Sequence, residues 1–267
     1  MQRTSFSNSH ANCILWLNGQ PTSPVAEVLH GQFNGRYHWR ITRMLGNAGE
    51  TEFDLRFQLF GIPVRVHPLF WLMGVFIFWN VSDQRPDLIL IGVLCVFFSI
   101  LVHELGHAVT FRRYGHRGEI VLYVMGGYAT GGQLSTWRNV IVSAAGPAAG
   151  FVVAGIVWGL LETIPVETMV AHYTLYWTLE KLWFVNFWWG VLNLIPCLPL
   201  DGGRIMESLV YRYFPRRADI RVLWVSILSS GALALWGAQH ERQFLMIMFG
   251  LMCAQHVISL NQRSQFR

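Results

Sequence analysis

The segment from Leu88 to Phe111 limits what this chain can fold into more than any other. It is long and apolar enough to cross a bilayer as a helix, yet it contains His103, Glu104 and His107. Ionisable groups at membrane depth cost on the order of a few kcal/mol each, so a cavity, an ion or a partner must compensate them. Histidines four residues apart share one helix face and can bind one zinc ion, with the glutamate beside it. The alternative is a helix whose histidines cap or pack at the membrane edge.

The composition places the whole chain in a membrane. Hydrophobic residues make up 53% of the 267 residues and charged residues only 13%, whereas a soluble domain usually has about 25% charged residues. Apolar stretches of nearly spanning length predict an α-helical polytopic membrane protein with about six transmembrane helices. The predicted spans are residues 67–81, 88–111, 140–161, 182–198, 222–238 and 244–260.

Basic residues indicate how these spans are oriented. Arginines gather before span one, between spans two and three, between spans four and five, and after span six. The opposite loops hold only Arg85, Lys181 and Arg242. By the positive-inside rule both termini are cytoplasmic, and a cell (inner) membrane is expected. The net charge of +5 is spread over juxtamembrane loops, which suits anionic membrane lipid and not nucleic acid.

Residues 1–55 differ from the rest of the chain. They are polar and rich in Asn, Gly, Ser and Thr, which predicts a cytoplasmic tail with little independent structure. Translation from Met44 would remove most of this tail and is an alternative start. The transmembrane domain is expected over residues 56–262, followed by a short cytoplasmic tail, 263–267.

A third ligand is needed, because a catalytic zinc ion usually has three protein ligands and one position for water. Residues 186–204 read N-F-W-W-G-V-L-N-L-I-P-C-L-P-L-D-G-G-R. Pro196 and Pro199 break the predicted fourth helix, and irregular backbone is tolerated at membrane depth only against protein or a water-filled cavity. Asp201 follows this break, where its carboxylate can reach inward. Asp201 can instead be read as the N-cap of the following amphipathic segment. Two histidines alone are one protein ligand short of a catalytic zinc site, so the interpretation of Asp201 as the third ligand is favoured.

These two motifs, in this order, resemble the site-2 proteases, which are zinc metalloproteases that cut transmembrane segments. The resemblance extends from about Phe60 to Gly203. It includes Gly61-Ile62-Pro63 with His67, Met125-Gly126-Gly127, and Ala145-Gly146-Pro147. The absence of PDZ and CBS modules suggests a compact form. Gly150 is a departure, because many family members have an asparagine there.

The resemblance implies a role for each motif residue. By it, the zinc ligands are His103, His107 and Asp201; Glu104 is the catalytic carboxylate; and Asn193 positions substrate or stabilises the oxyanion. The implied activity is hydrolysis of peptide bonds in or near transmembrane segments of substrate proteins. The competing hypothesis is a catalytically inactive zinc-binding scaffold that binds such segments. A scaffold has no need of Glu104, so its presence favours the enzyme.

The segment from Glu119 to Gln133 is too short to span the membrane. It begins with β-branched and aromatic residues and continues with several glycines. It is either an ordinary loop or, as the resemblance suggests, a re-entrant β-hairpin whose edge pairs with substrate, which makes Gly126 and Gly127 substrate-binding residues. His67 is either an interfacial histidine or a residue that faces the zinc, and we include it in the expected substrate site. Gly146 and Gly150 form a G-x-x-x-G pattern that is typical of close helix packing.

Overall fold

The structure is a computed structural model in which residues 49–79, 85–124, 126–129 and 134–264 are described, together with two short strands near the N-terminus. The chain divides into two units, Met1–Asn47 and Ala48–Arg267. In the first unit, strands β1 (Trp16–Leu17) and β2 (Gln20–Pro21) pair antiparallel. Apart from these strands, the predicted N-terminal tail up to residue 48, including Met44, lies outside the described residues, as do residues 265–267.

The second unit combines a small sheet with a helical bundle. Its strands are β3 (Leu55–Leu59), β4 (Ile62–Val66), β5 (Ile120–Tyr123) and β6 (Gly126–Ala129). Its described helices are α1 (Pro68–Phe78), α2 (Pro86–Arg113), α3 (Thr136–Thr163), α4 (Val166–Ala171), α5 (Tyr173–Asn193), α6 (Asp201–Tyr213), α7 (Ala218–Gln239) and α8 (Gln243–Ser264).

The strands form one four-stranded sheet in the order β3-β4-β5-β6. Strands β3 and β4 are an antiparallel hairpin whose turn, Phe60 and Gly61, has positive φ at both residues. Strands β4 and β5 run parallel, so the chain leaves the sheet, forms α1 and α2, and returns beside β4. Strands β5 and β6 form a hairpin within the predicted segment, residues 119–133, whereas β3 and β4 were not predicted.

Four helices of the described residues are long and apolar enough to cross a membrane: α2, α3, α7 and α8. Each overlaps one predicted span, and the chain is a multi-pass membrane protein. Helix α1 is apolar but shorter. The predicted bounds of span four, 182–198, were wrong: α5 begins at Tyr173 and ends at Asn193. It ends early because proline disfavours helical backbone in the residue before it, and Pro196 follows closely.

Helix α2 lies at the centre of the bundle and contacts α1, α3, α5 and the sheet. Helices α2 and α3 approach closely, since a Cβ on Gly106 would lie 2.4 Å from the Ala145 carbonyl oxygen. Large apolar residues such as Leu90, Phe98 and Ile156 are exposed on the outer helix faces. A soluble protein rarely exposes so much apolar surface, but a lipid-facing helix does.

Residues just before β3 are bonded to the sheet through Asp54. Asp54 accepts hydrogen bonds from Thr51 Oγ1 at 2.6 Å and from Arg65 Nη1 of β4 at 3.0 Å. The Asp54 side chain is fully covered. The bond from Thr51, together with the Arg65 guanidinium, lowers the pKa of Asp54 to about 2, against the opposing effect of burial. This acid therefore fastens the start of the unit to the sheet.

Candidate metal centre

Two ligand atoms come from one face of α2. This helix starts at Pro86, and Asp87 lies in its first turn, where an acid interacts favourably with the helix dipole. His103 and His107 are one turn apart, and their Nε2 atoms are 3.2 Å from each other. Both rings are buried. Two nitrogen ligands therefore meet in the interior of a membrane helix.

The third ligand atom comes from the start of α6. The chain is not helical between α5 and α6, and Asp201 is the first residue after Leu200, the N-cap. Oδ2 of Asp201 lies 3.0 Å from His103 Nε2 and 3.2 Å from His107 Nε2. Among the described residues, the ligand atoms of these three side chains lie close enough to one another to hold one metal ion. The structure thus brings the predicted ligands together.

The geometry of these atoms fits zinc. A tetrahedral zinc ion with bonds of about 2.0–2.1 Å spaces its ligand atoms roughly 3.3 Å apart. The three atoms are 3.0–3.2 Å apart. Gly146 of α3 keeps the space in front of the histidines open, because a Cβ there would lie 2.2 Å from His107 Nε2 and 2.9 Å from His103 Nε2. Two imidazoles and one carboxylate are a ligand set that catalytic zinc uses, so the cofactor of this site is Zn²⁺.

Helix α3 also orients the ligand His107, through the ring nitrogen that does not face the metal centre. Nδ1 of His107 donates a hydrogen bond to the carbonyl oxygen of Val142 at 2.7 Å, because a carbonyl can only accept. The proton is then on Nδ1, which leaves Nε2 free to bind the metal. For Nδ1 of His103, the described residues provide no hydrogen-bond partner. The two histidines are therefore supported differently.

Glu104 lies beside the ligands and is 4% exposed. Its Oε2 atom has no hydrogen-bond partner among residues 49–79, 85–124, 126–129 and 134–264. A buried carboxylate oxygen that no protein group binds is available to a water molecule or a substrate. Asn193, the last residue of α5, is also buried, and its Nδ2 donates to the Trp189 carbonyl oxygen at 3.0 Å. Its amide group is thus bound to its own helix.

The residues expected to bind substrate lie on the sheet and beside it. Gly126 and Gly127 belong to β6, where they pair with Tyr123 and Leu122 of β5. Strand β6 is the last strand of the sheet and packs beside α2, the helix that carries the histidines. His67 caps α1, because its Nδ1 accepts a hydrogen bond from the Leu69 backbone N–H at 3.2 Å. Its ring packs edge-on against Tyr123, so its observed contacts are those of a cap.

A second buried polar contact joins α2 to α5. Asn186 Nδ2 donates to Ser99 Oγ at 2.7 Å, one turn before His103. A Cβ on Gly150 would lie 3.3 Å from the Asn186 carbonyl oxygen, so this glycine lets α3 approach α5 closely. From the sequence, a hydrogen bond between helices is expected for Asn186, but its partner, Ser99, belongs to no motif that would identify it.

Comparisons with known proteins identify the family that this chain resembles. The family model described as Peptidase family M50 matches residues 91–171 and 163–236, together more than half of the chain. A zinc metalloprotease of Methanocaldococcus jannaschii is 28% identical over 205 residues, which cover 76% of this chain and 56% of that protein. A putative zinc metalloprotease of Synechocystis is 31% identical over 171 residues, 58% of this chain and 43% of the relative. The chain therefore spans about half the length of these curated relatives.

The fold has a counterpart among solved structures. The structure of the site-2 protease from Methanocaldococcus jannaschii superimposes with a TM-score of 0.57 at 21% sequence identity. The match covers 78% of this chain and 95% of the other. The two proteins therefore share a fold over the matched part of this chain.

Proposed function

This chain belongs to peptidase family M50, the site-2 protease family, and we propose that it is an intramembrane endopeptidase that hydrolyses peptide bonds in or near transmembrane segments of other membrane proteins. One observation carries the proposal. Three metal-ligand atoms converge within an apolar bundle, next to a buried glutamate with an oxygen that the described residues leave unbound. A purely structural zinc site is usually closed by four protein ligands and has no need of such a carboxylate.

In the proposed reaction, Glu104 is the general base. His103, His107 and Asp201 would hold the zinc ion, which would supply Lewis-acid chemistry for the activation of water and the polarisation of the scissile carbonyl. Glu104 accepts the proton of the attacking water at its free carboxylate oxygen and then donates it to the leaving amine. Burial excludes bulk water from this exchange, which strengthens the electrostatic interactions of the carboxylate with the reacting atoms.

Asn193 is proposed to stabilise the oxyanion or to position substrate. Donors that point at developing negative charge are worth more in a dry site than in water. One N–H of its Nδ2 donates to the Trp189 carbonyl oxygen, so the second N–H of the same amide is the donor proposed for the oxyanion. The role is supported by the burial of Asn193 at the end of α5, close in sequence to Asp201.

A helical substrate hides its carbonyl groups in its own hydrogen bonds, so it must unwind before cleavage. We propose that the outer edge of β6, the last strand of the described sheet, pairs at Gly126 and Gly127 with the unwound substrate and replaces the lost helix bonds. The position of β6 beside α2 supports this role. Substrates with glycine or other helix-breaking residues near the cleaved bond should therefore be preferred.

The positive-inside pattern supports a cell-membrane location with both termini and the arginine-rich loops in the cytoplasm. His103 and His107 lie late in α2, which then runs from outside to inside. The proposed metal centre is therefore in the cytoplasmic half of the bilayer. The arginines at the helix ends are suited to anionic lipid headgroups.

Glu104→Gln separates this enzyme from an inactive zinc-binding scaffold. The change is nearly isosteric and removes only the ability to take a proton, which typically costs about 10² to 10⁴ in rate. The assay is cleavage of a single-span reporter with a glycine-containing helix in proteoliposomes, with and without a zinc chelator. We expect Glu104→Gln to retain zinc and lose cleavage. Wild-type cleavage that resisted both the chelator and Glu104→Gln would refute the proposal.

A further inference from the structure

The metal ligand Asp201 is delivered by non-helical backbone, residues 194–200, which we call the ligand loop. Buried backbone N–H and C=O groups need hydrogen-bond partners, above all in an apolar bundle. Pro196 and Pro199 reduce the number of donors in the loop, because proline has no N–H. Cys197 and Leu198 are buried, so the partners of the remaining groups decide where the loop lies.

Two serines of α7 supply such partners. Ser226 Oγ accepts a hydrogen bond from the Leu198 backbone N–H at 3.2 Å. Ser229 Oγ donates to the Pro196 carbonyl oxygen at 3.3 Å, while it also lies 2.8 Å from the Val225 carbonyl oxygen of its own helix. Ser226 is completely buried. Helix α7 thus holds the ligand loop on both sides of Cys197.

The loop transmits this constraint to Asp201 because it packs against the start of α6 without free space. A Cβ on Gly202 would lie 2.1 Å from the Leu194 carbonyl oxygen, and one on Gly203 would lie 2.4 Å from the Cys197 carbonyl oxygen. The two residues that follow Asp201 therefore touch the loop backbone directly. Close-packed backbone transmits displacement, so a shift of the loop at Leu198 moves Asp201 as well.

We propose that Ser226, assisted by Ser229, is a positioning residue that sets the place of Asp201 at the metal centre. The inference rests on the metal centre of the proposed function and extends it to α7. The motifs that resemble the site-2 proteases end near Gly203, so none of them includes these serines. Neither serine takes part in the chemistry. Each acts through the backbone of the ligand loop.

Zinc affinity tests this role without any measurement of cleavage. The dissociation constant is measured on the full-length protein in detergent, by competition with a chromophoric chelator. Residues that orient metal ligands change affinity about 10- to 100-fold when they are removed, and we expect a loss in this range for Ser226→Ala. Ser230→Ala is the matched control. Ser230 is equally buried on the same helix, but its hydroxyl donates to the Ser226 carbonyl and lies 3.4 Å from the Ile227 carbonyl oxygen. It reaches the ligand loop at the side chain of Cys197 and not at the loop backbone.

Cobalt(II) gives a second readout, since its visible absorption bands report ligand geometry. We expect the bands to change in Ser226→Ala, to stay unchanged in Ser230→Ala, and to return in Ser226→Thr, which restores the hydroxyl group. A serine that only stabilises the fold would lower the unfolding temperature of the metal-free protein and leave zinc affinity and the cobalt bands unaltered. That result, or equal losses in Ser226→Ala and Ser230→Ala, would overturn the inference.

Ser229→Ala provides the test if Ser226→Ala does not fold. Ser229 is only half-buried, so its removal should weaken zinc binding in the same direction but less. Unchanged affinity in Ser229→Ala would then refute the role of α7. Because all of these measurements concern metal binding, their outcome is independent of whether the wild-type protein cleaves a substrate.

Discussion

The α-carbon of Gly146 faces the metal-binding nitrogen of His107 so closely that a Cβ built on this glycine would lie 2.2 Å from Nε2. The same Cβ would lie 2.9 Å from Nε2 of His103, so it would occupy the space in front of both ligand nitrogens. Gly146 was interpreted from the sequence as part of a helix-packing pattern. Its position shows that the metal centre itself requires a residue without a side chain.

Gly146→Ala should therefore weaken zinc binding. Overpacking a buried site costs about 1–3 kcal/mol, which corresponds to roughly 5- to 150-fold in affinity. Gly159→Ala is the matched control, because it lies on the same helix and an added Cβ there has no neighbour within 4 Å. Zinc content after dialysis, measured by elemental analysis, compares the two variants. Equal zinc in both would show that the site tolerates a methyl group at Gly146.

Asp201→Ala should remove most of the bound zinc, because it deletes one of three ligands whose atoms lie within 3.2 Å of one another. Wild-type protein should contain close to one zinc ion per chain. Asp219→Ala is a suitable control, since this acid lies in the first turn of α7 and pairs with Arg263. Full zinc retention in Asp201→Ala would exclude Asp201 from the ligand set.

Single cysteines at positions 216 and 167 should react with an impermeant reagent from opposite sides of the membrane. Arg216 and Glu167 are exposed, and the charge bias of the loops places position 216 in the cytoplasm and position 167 outside. Labelling is measured on intact cells and on inverted vesicles, relative to the parent protein. Reaction of position 216 in intact cells, with position 167 protected, would reverse the topology.

Asp54→Asn should destabilise the protein near neutral pH and have less effect in acid. The pKa of Asp54 is lowered to about 2 from an ordinary value of 3.8, mainly by the hydrogen bond from Thr51. A lowered pKa contributes stability that is present above the unfolded value and is lost as pH falls through the folded value. The difference in unfolding temperature between wild type and Asp54→Asn should shrink from pH 6 to pH 3. A constant difference would contradict this role of the ionised carboxylate.

Much of the metal centre is predictable because its determinants are local. The spacing of His103 and His107 places both on one helix face, whatever the rest of the chain does. The break at Pro196 indicates an inward-reaching Asp201, and the family resemblance specifies the same residue. Strands β3 and β4 were missed because their alternating apolar residues stand next to longer membrane helices, which dominated the interpretation of that region.

The other features of the site depend on contacts that no sequence pattern indicates. Val142 supports His107 with a backbone carbonyl, which every residue type possesses. Ser226 and its partner Leu198 are 28 positions apart in the chain. A serine in an apolar helix can equally donate a hydrogen bond to a carbonyl of its own helix, so the sequence does not reveal this contact. The early end of α5 follows from Pro196, whereas the predicted span extends past this proline to residue 198.

The two histidines are supported differently, and this difference affects how each ring is oriented. Nδ1 of His107 is tied to α3, whereas the described residues leave Nδ1 of His103 without a partner. Among the described residues, the His103 ring is hydrogen-bonded only through Nε2, which lies 3.0 Å from Asp201 Oδ2. His107 is therefore oriented from outside the metal centre, whereas the orientation of His103 depends on the metal-binding atoms themselves.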